Sequence, residues 1–243
     1  MTALPGRRPT PPSALNDCAL FLDFDGTLTP IIDEPDRCAL TDEMSSILHA
    51  LSKRFSGALA VISGRDIRDL SRRTPVELWR VGGHGLEVLE PNGKPNPAPL
   101  SSPDFLGAVE AVTSDFPGVW VEKKGAILAI HFRQAPEVGA ALGERLNALA
   151  RTLPDYRFQA GKMVFELKPK AANKGVALAS LCARPPFSGR TPVMVGDDTT
   201  DEDGFLAAKR LGGFGVKVGE GETGADYALK DPEDVGRWLG GLT

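Results

Sequence analysis

At 243 residues the chain is long enough to bury a core in one large domain or two small ones. Hydrophobic residues make up 42% and charged residues 25%, ordinary for a soluble globular protein, and a net charge of −4 leaves no basic surplus for nucleic acid. The longest apolar runs, such as Cys18–Leu22, are strand-sized and too short to span a bilayer.

Residues 1–16 hold Pro5, Pro9, Pro11 and Pro12 with Arg7 and Arg8; they lack the apolar centre of a signal peptide and read as a flexible tail. Ala19–Leu22 is a short strand ending in Asp23. Thr41 caps a helix with Asp42 and Glu43 in its first turn and Met44, Ile47, Leu48, Leu51 and Phe55 at helical spacing. His49 falls on that helix's surface. Ala58–Ile62 is a second strand, ending at Ser63-Gly64-Arg65, and a short helix with Ile67 and Leu70 follows. Near Val81 a third strand leads into Gly82-Gly83-His84-Gly85. Strand and helix in alternation predict a parallel sheet with helices on its faces, whose ligand loops follow the carboxyl ends of the strands.

Pro91–Leu100, with four prolines and Gly93, reads as a linker, and after it the pattern changes. A helix from Asp104 to Phe116 precedes strands Val119–Lys123 and Ile127–Phe132. A helix from Pro136 to Leu153 precedes strands Tyr156–Gln159 and Met163–Leu167. This αββαββ order predicts a separate α+β domain with an antiparallel sheet. From Pro169 the first pattern returns. Val176, Leu178 and Leu181 fit a helix, Val193–Val195 a strand ending at Gly196-Asp197-Asp198, and Asp201–Ala208 a helix. Phe214–Val218 is a strand, and Asp231-Pro232 opens a last helix. The expected organisation is an α/β Rossmann-like core of residues 17–98 and 169–243, interrupted by an inserted domain of residues 99–168. Cys18, Cys38 and Cys182 have no Cys-x-x-Cys spacing and are expected as free thiols in a reducing cytoplasm.

The strongest chemical signal is Phe21-Leu22-Asp23-Phe24-Asp25-Gly26-Thr27-Leu28. In extended backbone Asp23 and Asp25 face one side. Two carboxylates at one site can hold a divalent cation, one free to attack phosphorus and the other to carry a proton. A bare Asp-x-Asp is more often an acidic turn, but the full string at a strand end argues against that.

The string resembles the first motif of the haloacid dehalogenase superfamily of phosphatases. Ser63 at a strand end is similar to its second motif, Lys174 in Asn173-Lys174-Gly175 to its third, and Gly196-Asp197-Asp198-Thr199-Thr200-Asp201 to its fourth. The resemblance implies that Asp23 attacks phosphorus to form an aspartyl phosphate, and that Asp25 protonates the leaving oxygen and then activates water. It implies Mg²⁺ held by the Asp23 carboxylate, the Asp25 backbone carbonyl and Asp197. Lys174 would hold Asp23 and the phosphate, Ser63 with the N–H of Gly64 would bind a phosphate oxygen, and Asp198 and Asp201 would orient Lys174 or metal waters.

A finer resemblance is to the trehalose-phosphate phosphatases. It rests on Ser63-Gly64-Arg65, Gly83-His84-Gly85, the acidic run closing at Asp203, and the inserted domain with Glu122-x-Lys124, His131-x-Arg133 and Gly161-Lys162-x-x-x-Glu166. It covers about residues 18–230 and implies a cap whose polar residues bind the sugar. Glu122, Lys124 and Glu166 would contact the distal glucose, with Arg133, Lys162 and His131 as further candidates; Gly64 and Arg65 would bind substrate, and His84 would serve in a substrate loop. From the residues alone, Glu122 and Lys124 read first as a solvent-facing pair, and His84 equally as a turn histidine. Many relatives have Tyr where this chain has Phe24. The expected activity is hydrolysis of trehalose 6-phosphate with Mg²⁺. The expected partner is a small sugar phosphate, with no nucleic acid or membrane, the chain acting as a monomer or weak oligomer. The alternatives are a phosphatase for sucrose phosphate or mannosyl-3-phosphoglycerate, a phosphotransferase, or a non-catalytic sugar-phosphate-binding domain; a response-regulator receiver would be much shorter.

Overall fold

The computed structural model describes residues 8–32, 34, 37–97, 102–161 and 163–243. The chain divides into two compact units, Met1–Pro95 with Asn173–Thr243, and Asn96–Ala172.

In the first unit the strands are β1 (Cys18–Leu22), β2 (Leu59–Ile62), β3 (Trp79–Gly82), β4 (Glu87–Leu89), β9 (Thr191–Gly196), β10 (Phe214–Val218) and β11 (Tyr227–Leu229). Among the described residues they form one sheet in the order β11-β10-β9-β1-β2-β3-β4, parallel except for β4. Its helices are α1 (Asp42–Arg54), α2 (Ile67–Arg73), α5 (Lys174–Cys182), α6 (Thr199–Arg210) and α7 (Pro232–Gly240). β1 and β2 are buried along their whole length and β9 at all but its first residue, as expected of strands covered on both faces. Thr41 caps α1 by accepting from the Met44 amide, and Asp231 caps α7 with Pro232 at its first position.

One local expectation changes. The Pro-rich segment is docked over its described part: Pro9 accepts from the Ala228 amide, Pro12 accepts from Trp238 Nε1, and Leu15 is buried. Residues 1–7 lie outside the described residues. In α5, Asn173 caps the helix by accepting from the Val176 amide, Leu178 and Leu181 are buried with Ala177, and Val176 is exposed. Arg80 on β3 is an arginine inside the core, 1% exposed. It donates to the backbone carbonyls of Leu78, Val76, Glu90 and Gly93 at 3.1–3.4 Å, binding the β3–β4 hairpin to the segment that leads out of the unit.

In the second unit α3 (Pro103–Thr113) and α4 (Gly139–Thr152) cover one face of a sheet of β5 (Trp120–Lys124), β6 (Ile127–His131), β7 (Tyr156–Gly161) and β8 (Val164–Pro169). Its order is β5-β6-β8-β7, antiparallel throughout. Phe105, Val109, Leu142 and Leu146 from the helices meet Leu128, Ile130, Phe165 and Leu167 from the sheet. Register and alternation put Glu122, Ala129, Glu166 and Gln159 in one cross-strand row on the opposite face, and Trp120, His131 and Val164 in the next.

Candidate active site

Three neighbouring strands of the first unit end in polar residues at the same edge: β1 at Asp23, β2 at Ser63 and β9 at Gly196-Asp197. This is the carboxyl end of a parallel sheet at the place where strand order reverses, the usual ligand position in such folds. The β1 and β9 ends are tied together by the Asp23 amide, which donates to the Val195 carbonyl at 2.9 Å.

Lys174 opens α5 and is 2% exposed; its ammonium donates to Asp23 Oδ1 at 2.6 Å and to Asp201 Oδ1 at 2.7 Å. Asp201 is fully buried, and its Oδ2 accepts from the Asp198 amide in the capping box of α6. One cation therefore sits between two carboxylates fixed by different elements. Burial alone would lower the Lys174 pKa, but Asp201 and Asp23 outweigh it and hold it well above the usual lysine value.

Asp197 completes the cluster. Carboxylate oxygens of Asp23, Asp197 and Asp201 all lie within 4.8 Å of one another. Gly26, at φ +79°, makes room for Asp197: a Cβ there would stand 2.2 Å from Asp197 Oδ2. Thr27 Oγ1 lies 3.4 Å from Asp197 Oδ1, and Lys217 Nζ donates to the Asp197 backbone carbonyl. Burial, and then the neighbouring Asp201, raise Asp197 from the ordinary 3.8 to about 6. Asp23 is raised well above its ordinary value, chiefly by burial, with Lys174 opposing. Oxygen-only donors whose charges exceed the one ammonium among them fit a hard divalent cation, and the Asp25 backbone carbonyl follows Asp23 closely enough in the chain to join them.

The Asp25 side chain is held elsewhere. Arg65 takes it bidentately, Nε to Oδ2 at 2.7 Å and a terminal nitrogen to Oδ1 at 2.6 Å. The same guanidinium donates to Asp69 at 2.8 Å and lies over the Phe24 ring, 5.4 Å from its centre, while Asp69 also accepts from Arg73. Arg65, expected among the substrate-binding residues, is bonded to Asp25. Ser63 is buried, and its Oγ accepts from the Arg65 amide at 3.1 Å. Asp198, expected near Lys174 or metal waters, caps α6 by accepting from the Thr199 amide; Lys174 is bonded by Asp201.

His84 is buried at φ +55°, between Gly83 and Gly85 at φ +57° and +115°. Its ring packs on Gly64, where a Cβ would come within 2.5 Å. A Cβ on Gly85 would stand 2.8 Å from the Asn173 carbonyl, so the loop is pressed between Ser63-Gly64 and the start of α5. This left-handed run persists because its surroundings fix it. Asp69, Arg73 and Lys217 were not among the residues singled out from sequence. The last carried a readable signal, a lysine in the otherwise buried strand Phe214–Val218.

In the second unit Glu122 Oε2 accepts from His131 Nε2 at 2.9 Å and lies 3.5 Å from Lys124 Nζ. Burial would raise the Glu122 carboxyl, but the His131 bond and Lys124 outweigh it and hold it below the ordinary value. Glu166 lies in the same cross-strand row, 3.7 Å from the buried Lys168 Nζ. Arg133 is exposed, and Lys162 lies outside the described residues.

The seven-strand sheet, the α+β unit inserted in the chain between its β4 and β9, and the acidic strand ends make up the fold of the haloacid dehalogenase-like hydrolases. One such hydrolase from B. subtilis superposes with a TM-score of 0.65 at 15% identity, over 92% of this chain and 98% of that one. The C-terminal domain of C. albicans trehalose-6-phosphate phosphatase superposes with a TM-score of 0.83 at 24% identity, over 99% and 100%. Within that class, the family model described as trehalose-phosphatase matches residues 21–233. The chain belongs to the trehalose-phosphatase family. It is 39% identical to the trehalose-6-phosphate phosphatase of Escherichia coli over 229 residues, 93% of this chain and 86% of that protein. No helix among the described residues is long and apolar enough to cross a membrane.

Proposed function

We propose that the protein hydrolyses trehalose 6-phosphate to trehalose and inorganic phosphate, the last step in making trehalose, through an aspartyl phosphate on Asp23. The observation that carries the reading is the Asp23–Lys174–Asp201 chain beside Asp197, in a member of this family.

Lys174 occupies Asp23 Oδ1, which leaves Oδ2 to attack phosphorus. The bond formed is Oδ2–P and the bond broken is P–O to the sugar, so one hard displacement becomes two easier ones. Asp25, once it has taken up a proton from solvent, gives it to the departing sugar oxygen, then takes one from the water that cleaves the aspartyl phosphate, help worth about 10²–10⁴-fold. Both Asp25 oxygens are engaged by Arg65, so at least one of those bonds breaks before Asp25 can reach the leaving oxygen. Ser63 uses its hydroxyl proton, and Gly64 its N–H, to hold a phosphate oxygen. Asp23, Asp197 and the Asp25 carbonyl would hold Mg²⁺, which supplies charge neutralisation for phosphate and carboxylates alike.

On the second unit Glu122, Lys124 and Glu166 bind sugar hydroxyls, with His131 orienting Glu122. A face that requires those bonds rejects a ligand lacking them. The test is phosphate release from trehalose 6-phosphate, beside glucose 6-phosphate, sucrose 6-phosphate and mannosyl-3-phosphoglycerate, with Mg²⁺ and with EDTA. Preference for the first, lost with EDTA and in Asp23→Asn, is expected. Preference for another member would overturn the substrate, and substantial turnover by Asp23→Asn would remove Asp23 from the chemistry.

A further inference from the structure

The sheet face of the second unit that carries Glu122 and Glu166 also carries an aromatic ring that the chemistry above does not use. Trp120 opens the edge strand β5 and is 49% exposed. A lone exposed tryptophan has no special meaning. This one is fixed in place. Its ring lies on the His131 imidazole with centroids 4.0 Å apart and planes within 10°. His131 is in turn held by the bond from Nε2 to Glu122 Oε2. With His131 against one face, the exposure of Trp120 belongs to the other face and its edge.

The spacing suits a sugar. Trp120 and Glu122 are i and i+2 on one strand, so their side chains project from the same face on the order of 7 Å apart, about the span of one pyranose ring. A pyranose presents a flat patch of C–H groups and a rim of hydroxyls. The patch is best covered by an aromatic face, which buries much area while freezing few torsions. The rim is best met by ionised carboxylates and an ammonium, here Glu122, Glu166 and Lys124. Binding sites for small molecules combine an apolar wall with a few placed polar groups in this way.

We propose that Trp120 is a specificity-determining residue, a platform that stacks on the C–H face of a glucose unit while Glu122 takes its hydroxyls. The proposal rests on the reading that this face binds the sugar of the substrate. His131 then has two tasks, backing the platform and aiming the carboxylate.

The experiment compares wild type, Trp120→Ala and Trp120→Phe on trehalose 6-phosphate and on p-nitrophenyl phosphate, both with Mg²⁺. For Trp120→Ala, kcat/KM on the sugar phosphate falls on the order of tenfold, mainly through KM. Its aryl phosphate turnover stays within about twofold of wild type, as expected for a substrate that has no sugar to stack and for a surface substitution. Trp120→Phe recovers most of the loss. Added trehalose changes the tryptophan emission of wild type and not that of Trp120→Phe. An unchanged sugar-phosphate efficiency in Trp120→Ala overturns the proposal. So does an equal fall on both substrates, or an emission change that survives in Trp120→Phe. If wild type turns over the aryl phosphate but not trehalose 6-phosphate, the substrate reading itself fails, and the platform with it.

Discussion

Replacing Asp197 by Asn tests the electrostatics of the site without asking for turnover. Without a divalent cation, Asp23, Asp197 and Asp201 share the single ammonium of Lys174. Burial and Asp201 raise Asp197 from 3.8 to about 6. A carboxyl whose folded pKa lies above its unfolded one loses stability as pH rises. The unfolded chain ionises first, near pH 3.8, and the penalty grows until the folded group ionises near pH 6. Two units and a little more amount to about 3 kcal/mol at pH 7 and above. Asparagine keeps the shape and an acceptor for Thr27, and removes that penalty. Asp197→Asn should therefore unfold at higher temperature than wild type at pH 8 in EDTA, by about 6–12 °C for a chain of this size. The gain should vanish near pH 4. Mg²⁺ at a hundred times its Kd should stabilise wild type by about 2.7 kcal/mol and the variant far less. Thermal unfolding followed by circular dichroism across pH 4–8, with EDTA and with Mg²⁺, measures all of this. A variant no more stable than wild type at pH 8 in EDTA would refute the repulsion argument; an unchanged response to Mg²⁺ would remove Asp197 from the cation's ligands.

Three further outcomes follow from the packing. Arg65→Lys keeps the charge but loses the fork that grips both Asp25 oxygens, so steady-state kinetics should show turnover of trehalose 6-phosphate reduced about tenfold, with the melting temperature changed by no more than about 2 °C; unaltered turnover would separate Arg65 from the placement of Asp25. Gly196→Ala drives a Cβ to 2.1 Å from the buried Asp201 carboxyl and should cost about 3 kcal/mol together with all activity, whereas Gly107→Ala in α3 meets nothing within 4 Å and should stabilise by about 1 kcal/mol in urea unfolding.

The fold was readable where an apolar run stops at a polar residue. β1 stops at Asp23, β2 at Ser63 and β9 at Gly196-Asp197, and each run was found within a few residues of its bounds. The second unit followed from alternation, although the predicted helix from Pro136 begins as a short 3₁₀ turn before α4. β4 and β11 escaped because three-residue edge strands leave almost no periodic signal, and Glu87–Leu89 is only half buried. The grip of Arg65 on Asp25 joins residues forty positions apart, and no local pattern encodes such a contact. The stack of Trp120 on His131 was hidden in the same way, since only the register of β5 against β6 brings the rings together.

The core arginine on β3 has an evolutionary consequence. Its guanidinium reads only main-chain oxygens, at positions 76, 78, 90 and 93, so the grip is indifferent to which side chains those positions carry. A change of side chain at position 76, 78 or 90 leaves the carbonyl acceptor in place, whereas Gly93 is itself confined, since a Cβ there would stand 2.9 Å from the Glu90 carbonyl. The constraint falls on the buried arginine more than on the residues whose main chain it holds.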